Sequence, residues 1–433
     1  MTSALAGFTL PQLSTFDPPV SGEGSLDPMG LGAISERLSD VLVPGFRARM
    51  SRYRLLTAMA VGSVVCEPFE SERAKDGVTT PQIAFEWIVL EAFARSSNTA
   101  LRGIPGLQKA RAVKDRRDRL SANSYLKGPS VFGFHGVYKP LATDLDIVTR
   151  TLSPGRRQPA LIEAWERESS LTGFLDGKAG SPGGDLRKDI HAAMRRSFDT
   201  MRCEVAPTGK AIRTLAEALD PDDAGAGERC ELRTAFDDGP ALRSELARLL
   251  EVGLDDAMTE REAIAVIADA ASAELRQILD AVVAYENFAR TLDVCFRTLC
   301  HVSYSLNTTP ITPASIHEHP TFVESAARLP GLHRRVTDTL GSVLSSTIEF
   351  DTRFSEFADS TTPADLAELI MNHHSSIQAS KPPLGKRSWF EPYRDGWLVR
   401  PGYEVSVQPA LDGPFIHPTR VQALRRFLWD TAI

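Results

Sequence analysis

The densest set of chemically capable side chains in this 433-residue chain is basic. Between Arg102 and Arg157 stand 12 Lys and Arg against 4 Asp, a net of +8, although the whole chain carries −7. Six of these fall in one short stretch: Lys109, Arg111, Lys114, Arg116, Arg117 and Arg119. The spacing predicts a helix over Leu107 to Leu120, with a thin apolar stripe at Leu107, Ala110, Val113 and Leu120 and cationic faces elsewhere. Lys109, Arg116 and Arg119 then lie close to one line along it. A phosphate backbone can follow such a line, because each neutralised phosphate releases condensed counterions. The competing reading is a solvated or paired face. Leu215 to Glu262 holds 14 acids against 5 bases, a net of −9. Blocks of opposite sign can neutralise each other, within a chain or between subunits, with no ligand at all.

The residues that follow extend the basic stretch. Ser124, Tyr125, Leu126 and Lys127 lead into a Gly-rich turn through Phe132, Gly133, Phe134 and Gly136, and then into Val137 to Val148. Val137, Leu141, Leu145 and Ile147 are apolar there, and the pattern looks like the recognition-helix half of a winged helix. On that reading Tyr138, Lys139 and Thr143 face a DNA groove, and Lys127 joins the nucleic-acid-binding set. The alternative is an ordinary helix with core spacing.

A second constellation places Arg47, Arg49, Arg52 and Arg54 at the entry to an apolar helix, and Glu86 between Phe85 and Trp87 in another. An unpaired carboxylate in so apolar a setting costs several kcal/mol, so one of the four arginines is the expected partner. A structural ion pair explains the group better than a functional site does. Other searches assign no chemistry. His317-Glu318-His319 lies among Pro310, Pro313 and Pro320, which reads as a loop rather than a metal-binding helix. His373-His374 is expected near a helix end, where cations are favoured. Cys66, Cys203, Cys230, Cys295 and Cys300 are scattered and odd in number, and read as structural thiols. No phosphate-binding loop, dinucleotide fingerprint or nucleophile elbow occurs. No catalytic residue, metal or cofactor is therefore assigned, and an active site assembled from distant residues is left open.

The elements that must position these residues are helical. With 42% hydrophobic and 24% charged residues the chain has an ordinary globular composition, and its length favours two or three domains. The expected fold class is mainly α: a multi-helix N-terminal domain with the winged-helix-like segment, a central helical domain, and a small C-terminal β-meander plus helix. In numbers, residues 1–28 form an extended lead-in, 29–176 a helical domain, 177–239 a linker-rich region marked by Gly, Pro and Asp, and 240–433 a helical domain ending in the meander. Thr80-Pro81 and Thr362-Pro363 signal helix starts, and Leu275 to Leu299 carries a long apolar stripe. Trp389, Trp397 and Trp429 are expected to cover a meander over 385–409. The start of the chain lacks secretory features, and its longest apolar run, Leu55 to Val65, is too short to cross roughly 30 Å of hydrocarbon. A cytoplasmic location without membrane contact follows as the expectation.

Leu42-Val43-Pro44-Gly45-Phe46, then Arg49, Arg52, Tyr53, Arg54 and Leu55, and later Gly103-Ile104-Pro105-Gly106 and Tyr125-Leu126-Lys127-Gly128, resemble a loose group of uncharacterised bacterial proteins encoded in phage-defence or DNA-modification islands. The resemblance covers about residues 30–150. It implies a defence context alongside helicases or nucleases and transfers no catalytic residue. Charge and resemblance together give the expected function: a non-enzymatic DNA-binding or scaffolding subunit of an anti-phage complex, holding double-stranded DNA and other subunits. The alternatives are a protein-interaction module that pairs its basic and acidic regions with a partner subunit, and a nuclease with a non-local site.

Overall fold

A computed structural model describes residues 27–252, 257–306, 309–382 and 384–432, so the expected lead-in lies outside the described residues apart from Asp27 and Pro28. Among the described residues the fold is mainly helical, with 18 α-helices and one two-stranded antiparallel hairpin. The chain divides into two compact units. Of the described residues, one gathers 42–252, 257, 269–271 and 420–432; the other gathers 27–41, 258–268, 272–306, 309–382 and 384–419. The stretch 177–239, expected to be linker-rich, falls inside the first unit and carries the helices Pro182–Thr200, Lys210–Ala218 and Ala226–Asp237. Its Ser181, Gly209 and Gly225 are helix N-caps. The punctuation residues mark helix starts there rather than a structureless connection.

The first unit is organised on two helices that are apolar nearly all round, which is the pattern of an interior helix. All 12 residues of Leu55–Cys66 are buried. Pro81–Arg95 begins where the cap and proline predict, with Thr80 Oγ1 accepting from the Ile83 N–H at 3.3 Å. The pair pack closely enough that a Cβ at Gly62 would stand 2.9 Å from the Phe85 ring. The C-terminal helix Val421–Asp430 returns to this unit, where Phe427 meets Phe46 and Tyr53 edge-on and the Tyr53 hydroxyl donates to the Ala423 carbonyl at 2.5 Å.

The second unit is built on Ala273–Leu306, a 34-residue helix carrying the expected buried stripe, which packs along Pro320–Val343. Phe288 on that stripe is ringed by Phe350, Phe354, Phe357 and His333. Pro363–Ala379 begins at the predicted cap, Thr362. Its His373 and His374 do not sit as exposed cations at a helix end: both are buried. His373 Nε2 lies 2.9 Å from the Met29 carbonyl, and His374 Nδ1 lies 2.9 Å from that of Pro28. The two rings fasten the incoming chain to the helix.

The expected meander is reduced to one hairpin, Phe390–Tyr393 with Gly396–Val399. The third segment, around Tyr403 to Val407, does not join it, because Tyr403 turns to stack on Trp389 with ring centroids 4.3 Å apart. Trp429 covers no sheet. It belongs to the first unit and is 68% exposed.

Candidate nucleic-acid interface

The basic stretch begins as the helix Leu107–Asp115, which buries Leu107, Ala110 and Val113 as the stripe predicts. It ends earlier than expected. Arg116 is the C-cap and Arg117 takes a φ of 58°, so Arg116, Arg117 and Arg119 leave the helix axis and do not continue one line with Lys109. A left-handed residue after the last turn stops a helix in this way. Arg119 is structural: it donates to the Val205 carbonyl and stands 3.6 Å from Glu91. Lys114 Nζ donates to the Ala94 carbonyl at 2.8 Å, and Arg111 reaches the Thr99 carbonyl at 3.3 Å. Arg116, Arg117 and Lys127 are exposed and Lys139 half-buried. Lys109, Arg116, Arg117, Lys127 and Lys139 form no ion pair with any described residue.

The segment read as a winged helix consists of Pro129–Phe132, a single Gly133, and Phe134–Asp144, and no strand follows to make a wing among the described residues. Tyr138 does not face a groove. It is fully buried, and its hydroxyl accepts the N–H groups of Ser51 at 3.0 Å and Arg52 at 2.9 Å. Burial pushes this phenol up to about 12, with the two N–H donors pulling the other way. Thr143 is half-buried, with its Oγ1 enclosed and without a partner. The apolar spacing identified the helix correctly, but the ring of Tyr138 fell on its inner face. Tyr138→Phe should lower stability by about 1–3 kcal/mol, because two buried N–H groups lose their acceptor. Thermal unfolding of the variant checks this; an unchanged midpoint would contradict it.

Glu86 is fully buried, as its setting required, but no arginine reaches it. Its carboxylate accepts from the Tyr125 hydroxyl, from the His135 N–H at 3.0 Å and from the His135 ring through Nδ1. Burial, followed by the charge of Glu86, drives the Tyr125 phenol far above its ordinary range. Arg54 instead pairs with Glu228, and Arg52 with Asp222. The Arg47 guanidinium donates to the Phe46 carbonyl at 3.3 Å, and that of Arg49 lies 5.0 Å over the Phe132 ring. Neither Tyr125 nor His135 was legible as a partner. They lie 39 and 49 residues away in sequence, with no periodicity tying them to Glu86.

These anchors shape a cleft of about 700 Å³. Its walls include Arg49, Arg102, Lys109, Arg111, Leu126 and Phe132, and no acidic side chain lines it. The loop Gly103-Ile104-Pro105-Gly106 forms the floor, held by Ser51 Oγ donating to the Gly103 carbonyl and Arg52 Nε donating to the Arg102 carbonyl, both at 2.9 Å. Gly103 and Gly106 have φ of 73° and 84°, and a Cβ on either would collide with Ser51 or Tyr125 respectively. Only glycine meets both demands. Gly106 provides no side-chain cap for the basic helix, so its first-turn N–H groups add positive potential at the cleft. Tyr138 and the Glu86 network thus serve as positioning groups beneath the cleft. Arg49, Arg102 and Phe132 were not singled out as ligand-facing residues from sequence, since they come from two loops and the helix Pro129–Phe132, which are distant in the chain.

Carboxylates of the acidic stretch pair with bases both inside and outside it, and Asp237 and Glu251 share Arg233. Asp238 meets Arg157, while Asp222 and Glu228 are taken by Arg52 and Arg54. All five cysteines are free, four of them buried. Among the described residues no cluster of His, Cys, Asp and Glu could hold a metal ion, and no helix is long and apolar enough to cross a membrane. Comparison with protein-family models, with curated proteins and with solved structures finds no match.

Proposed function

We propose that the chain is a non-enzymatic DNA-binding subunit that grips the phosphate backbone in the cleft formed by Arg49, Arg102, Lys109 and Arg111. The observation that carries this reading is a cleft of about 700 Å³ lined by four cations and no acid. Within it Phe132, 47% exposed, offers an aromatic face. Cations of this kind are spent on anions, and a phosphodiester backbone is the polymer that presents anions at close spacing. Phe132, with the Arg49 guanidinium 5.0 Å over its ring, holds that cation at the cleft. Base-edge readout by Phe134–Asp144 is not part of the proposal, because Tyr138 is turned inward. The setting, an anti-phage complex with a helicase or nuclease as partner subunit, rests on the resemblance over residues 30–150.

The rival in which basic and acidic regions neutralise each other has the Arg157 and Asp238 contact in its favour. The cations of the cleft have no such acid. Fluorescence anisotropy with labelled duplex across a salt series decides between the two. Each phosphate contact contributes a slope of roughly −0.9 in log K against log salt, so Arg102→Glu with Lys109→Glu and Arg111→Glu should flatten it by about 2.7. Arg116→Glu with Arg117→Glu, outside the cleft, should change it less. Failure of the native chain to bind at about 50 mM salt, or native affinity and slope in the cleft variant, would overturn the reading. Metal-dependent cleavage of plasmid by the purified chain would replace it with the nuclease alternative.

A further inference from the structure

A second cleft, of about 490 Å³, opens on another face of the same unit along the helix Pro182–Thr200. Arg187, His191 and Arg195 fall on successive turns of one helical face, with Lys188 beside them, and all four line the cleft. Asp176 is the one carboxylate among the lining residues. The cleft is a built one. Glu166 accepts from the N–H groups of Phe174 and Leu175 at 2.9 and 3.1 Å, fixing the loop that faces the helix. Arg187 donates back to the Leu175 carbonyl at 2.6 Å. A Cβ at Gly183 or Gly184 would strike the backbone of this loop, so helix and loop approach as closely as glycine permits.

His191 backs the row from within. Its ring meets that of Phe69 edge-on with centroids 5.5 Å apart, and its Nε2 is buried. Burial, and then the nearby charges of Arg187 and Arg195, holds the imidazole below its ordinary range. The positive charge of this face is therefore that of Arg187, Lys188 and Arg195. Guanidinium and ammonium groups favour oxyanions through charge-assisted bonds.

We propose that this cleft binds the polyphosphate chain of a small phosphorylated molecule. Successive turns rise by about 5.4 Å, so the cations from Arg187 and Lys188 to Arg195 span more than the width of a single phosphate. Consecutive phosphates of one ligand match such a row better than an isolated anion does. This site does not depend on the DNA-binding reading, and it shares no lining residue with the other cleft.

The experiment is calorimetric titration of the full chain with inorganic triphosphate, with orthophosphate for comparison. Triphosphate should bind at least about tenfold more tightly, since each additional charge-assisted bond is worth about that factor or more. Lys188→Gln with Arg195→Gln, both exposed and so expected to fold, should weaken triphosphate by about tenfold or more. Arg334→Gln, in the other unit, and Lys109→Gln with Arg111→Gln, in the other cleft, should leave the affinity unchanged. Thermal unfolding verifies that each variant is folded. Absence of triphosphate binding, equal affinity for the two anions, or an effect confined to the Lys109 and Arg111 variant would overturn the assignment.

Discussion

Glu228→Gln is expected to lower the unfolding free energy by about 3–5 kcal/mol, because it strands a buried guanidinium without its counter-charge. The Arg54 and Glu228 side chains are 3% and 0% exposed. Arg54 Nη2 donates to Glu228 Oε1 at 2.5 Å, and its Nε lies 3.1 and 3.2 Å from the two oxygens. Thr57 Oγ1 donates to the same carboxylate at 2.9 Å, and Arg54 Nη1 donates to the Asp220 carbonyl at 2.8 Å. Every strong donor has an acceptor, which is the condition under which a buried pair is tolerated. Glu228 also lies in the first turn of Ala226–Asp237, whose Gly227 and Glu228 N–H groups are capped by Glu168 at 2.6 and 3.1 Å. Removing one partner is costly, whereas removing both with apolar replacements restores part of the loss. Arg54→Met with Glu228→Leu should therefore be destabilised by less than the sum of the two single changes. Denaturant unfolding of the native chain, both single variants and the double variant tests the pair. A single-variant loss below about 1 kcal/mol would place it with ordinary surface ion pairs and refute the argument.

The second large effect is on pH dependence. His374 is fully buried among Phe296, Trp389 and Phe390. Its Nε2 accepts the Trp389 N–H at 3.0 Å, and its Nδ1 faces the Pro28 carbonyl at 2.9 Å, so the neutral ring satisfies both nitrogens. Burial, aided by the charges of Lys381 and His373, pushes it down from 6.5 to about 4. The unfolded chain thus binds the proton more readily than the folded chain does between these values. Stability rises with pH wherever the unfolded state holds more protons, so it is full above about 6.5 and falls as the pH drops towards 4. The loss attributable to His374 is about 3 kcal/mol across that window.

His373 and His333 are lowered by burial and act in the same direction. His417 acts oppositely. It is half-buried beside Glu286 and raised by that carboxylate against the effect of burial. Its contribution is fully present below the unfolded value and is lost as the pH rises through the folded one, so it does not offset the acid limb. His374→Asn should lower stability at neutral pH and flatten the dependence between pH 6.5 and 4. Unfolding free energies measured across that range test this, and an unchanged slope in the variant would rule out His374 as its source.

Local signals in the sequence were read well where one segment sufficed to fix them. Thr80-Pro81 and Thr362-Pro363 begin helices because the cap oxygen and the proline ring act on the next turn, with no outside help. The apolar stripe from Leu275 to Leu299 specified a long buried helix, because that spacing leaves no other way to remove its side chains from water. The apolar surroundings of Glu86 foretold its burial, since Phe85 and Trp87 had to be inside. The excess of cations over 102–157 was likewise a property of the sequence alone.

Pairing and aim were decided by the tertiary structure. Glu86 had four arginines on offer in an early helix entry and took Tyr125 and His135, while Arg54 found Glu228 174 residues away. Partner choice depends on which backbones meet, and nothing in residue spacing along the chain encodes that. Tyr138 turned inward for the same reason: two N–H groups at Ser51 and Arg52 needed an acceptor, and its hydroxyl supplied one. The basic stretch kept its charge but lost its line where Arg117 adopts a left-handed conformation and ends the helix. The cleft that unites Arg49 with Arg102, Lys109 and Arg111 exists only because a glycine-bearing loop closes on Ser51 and Tyr125. The sequence by itself determined where several helices start, which stripes are buried and where positive charge accumulates, because those follow from short-range periodicity and composition. Which charges meet and which stay open to an anion was decided by long-range packing.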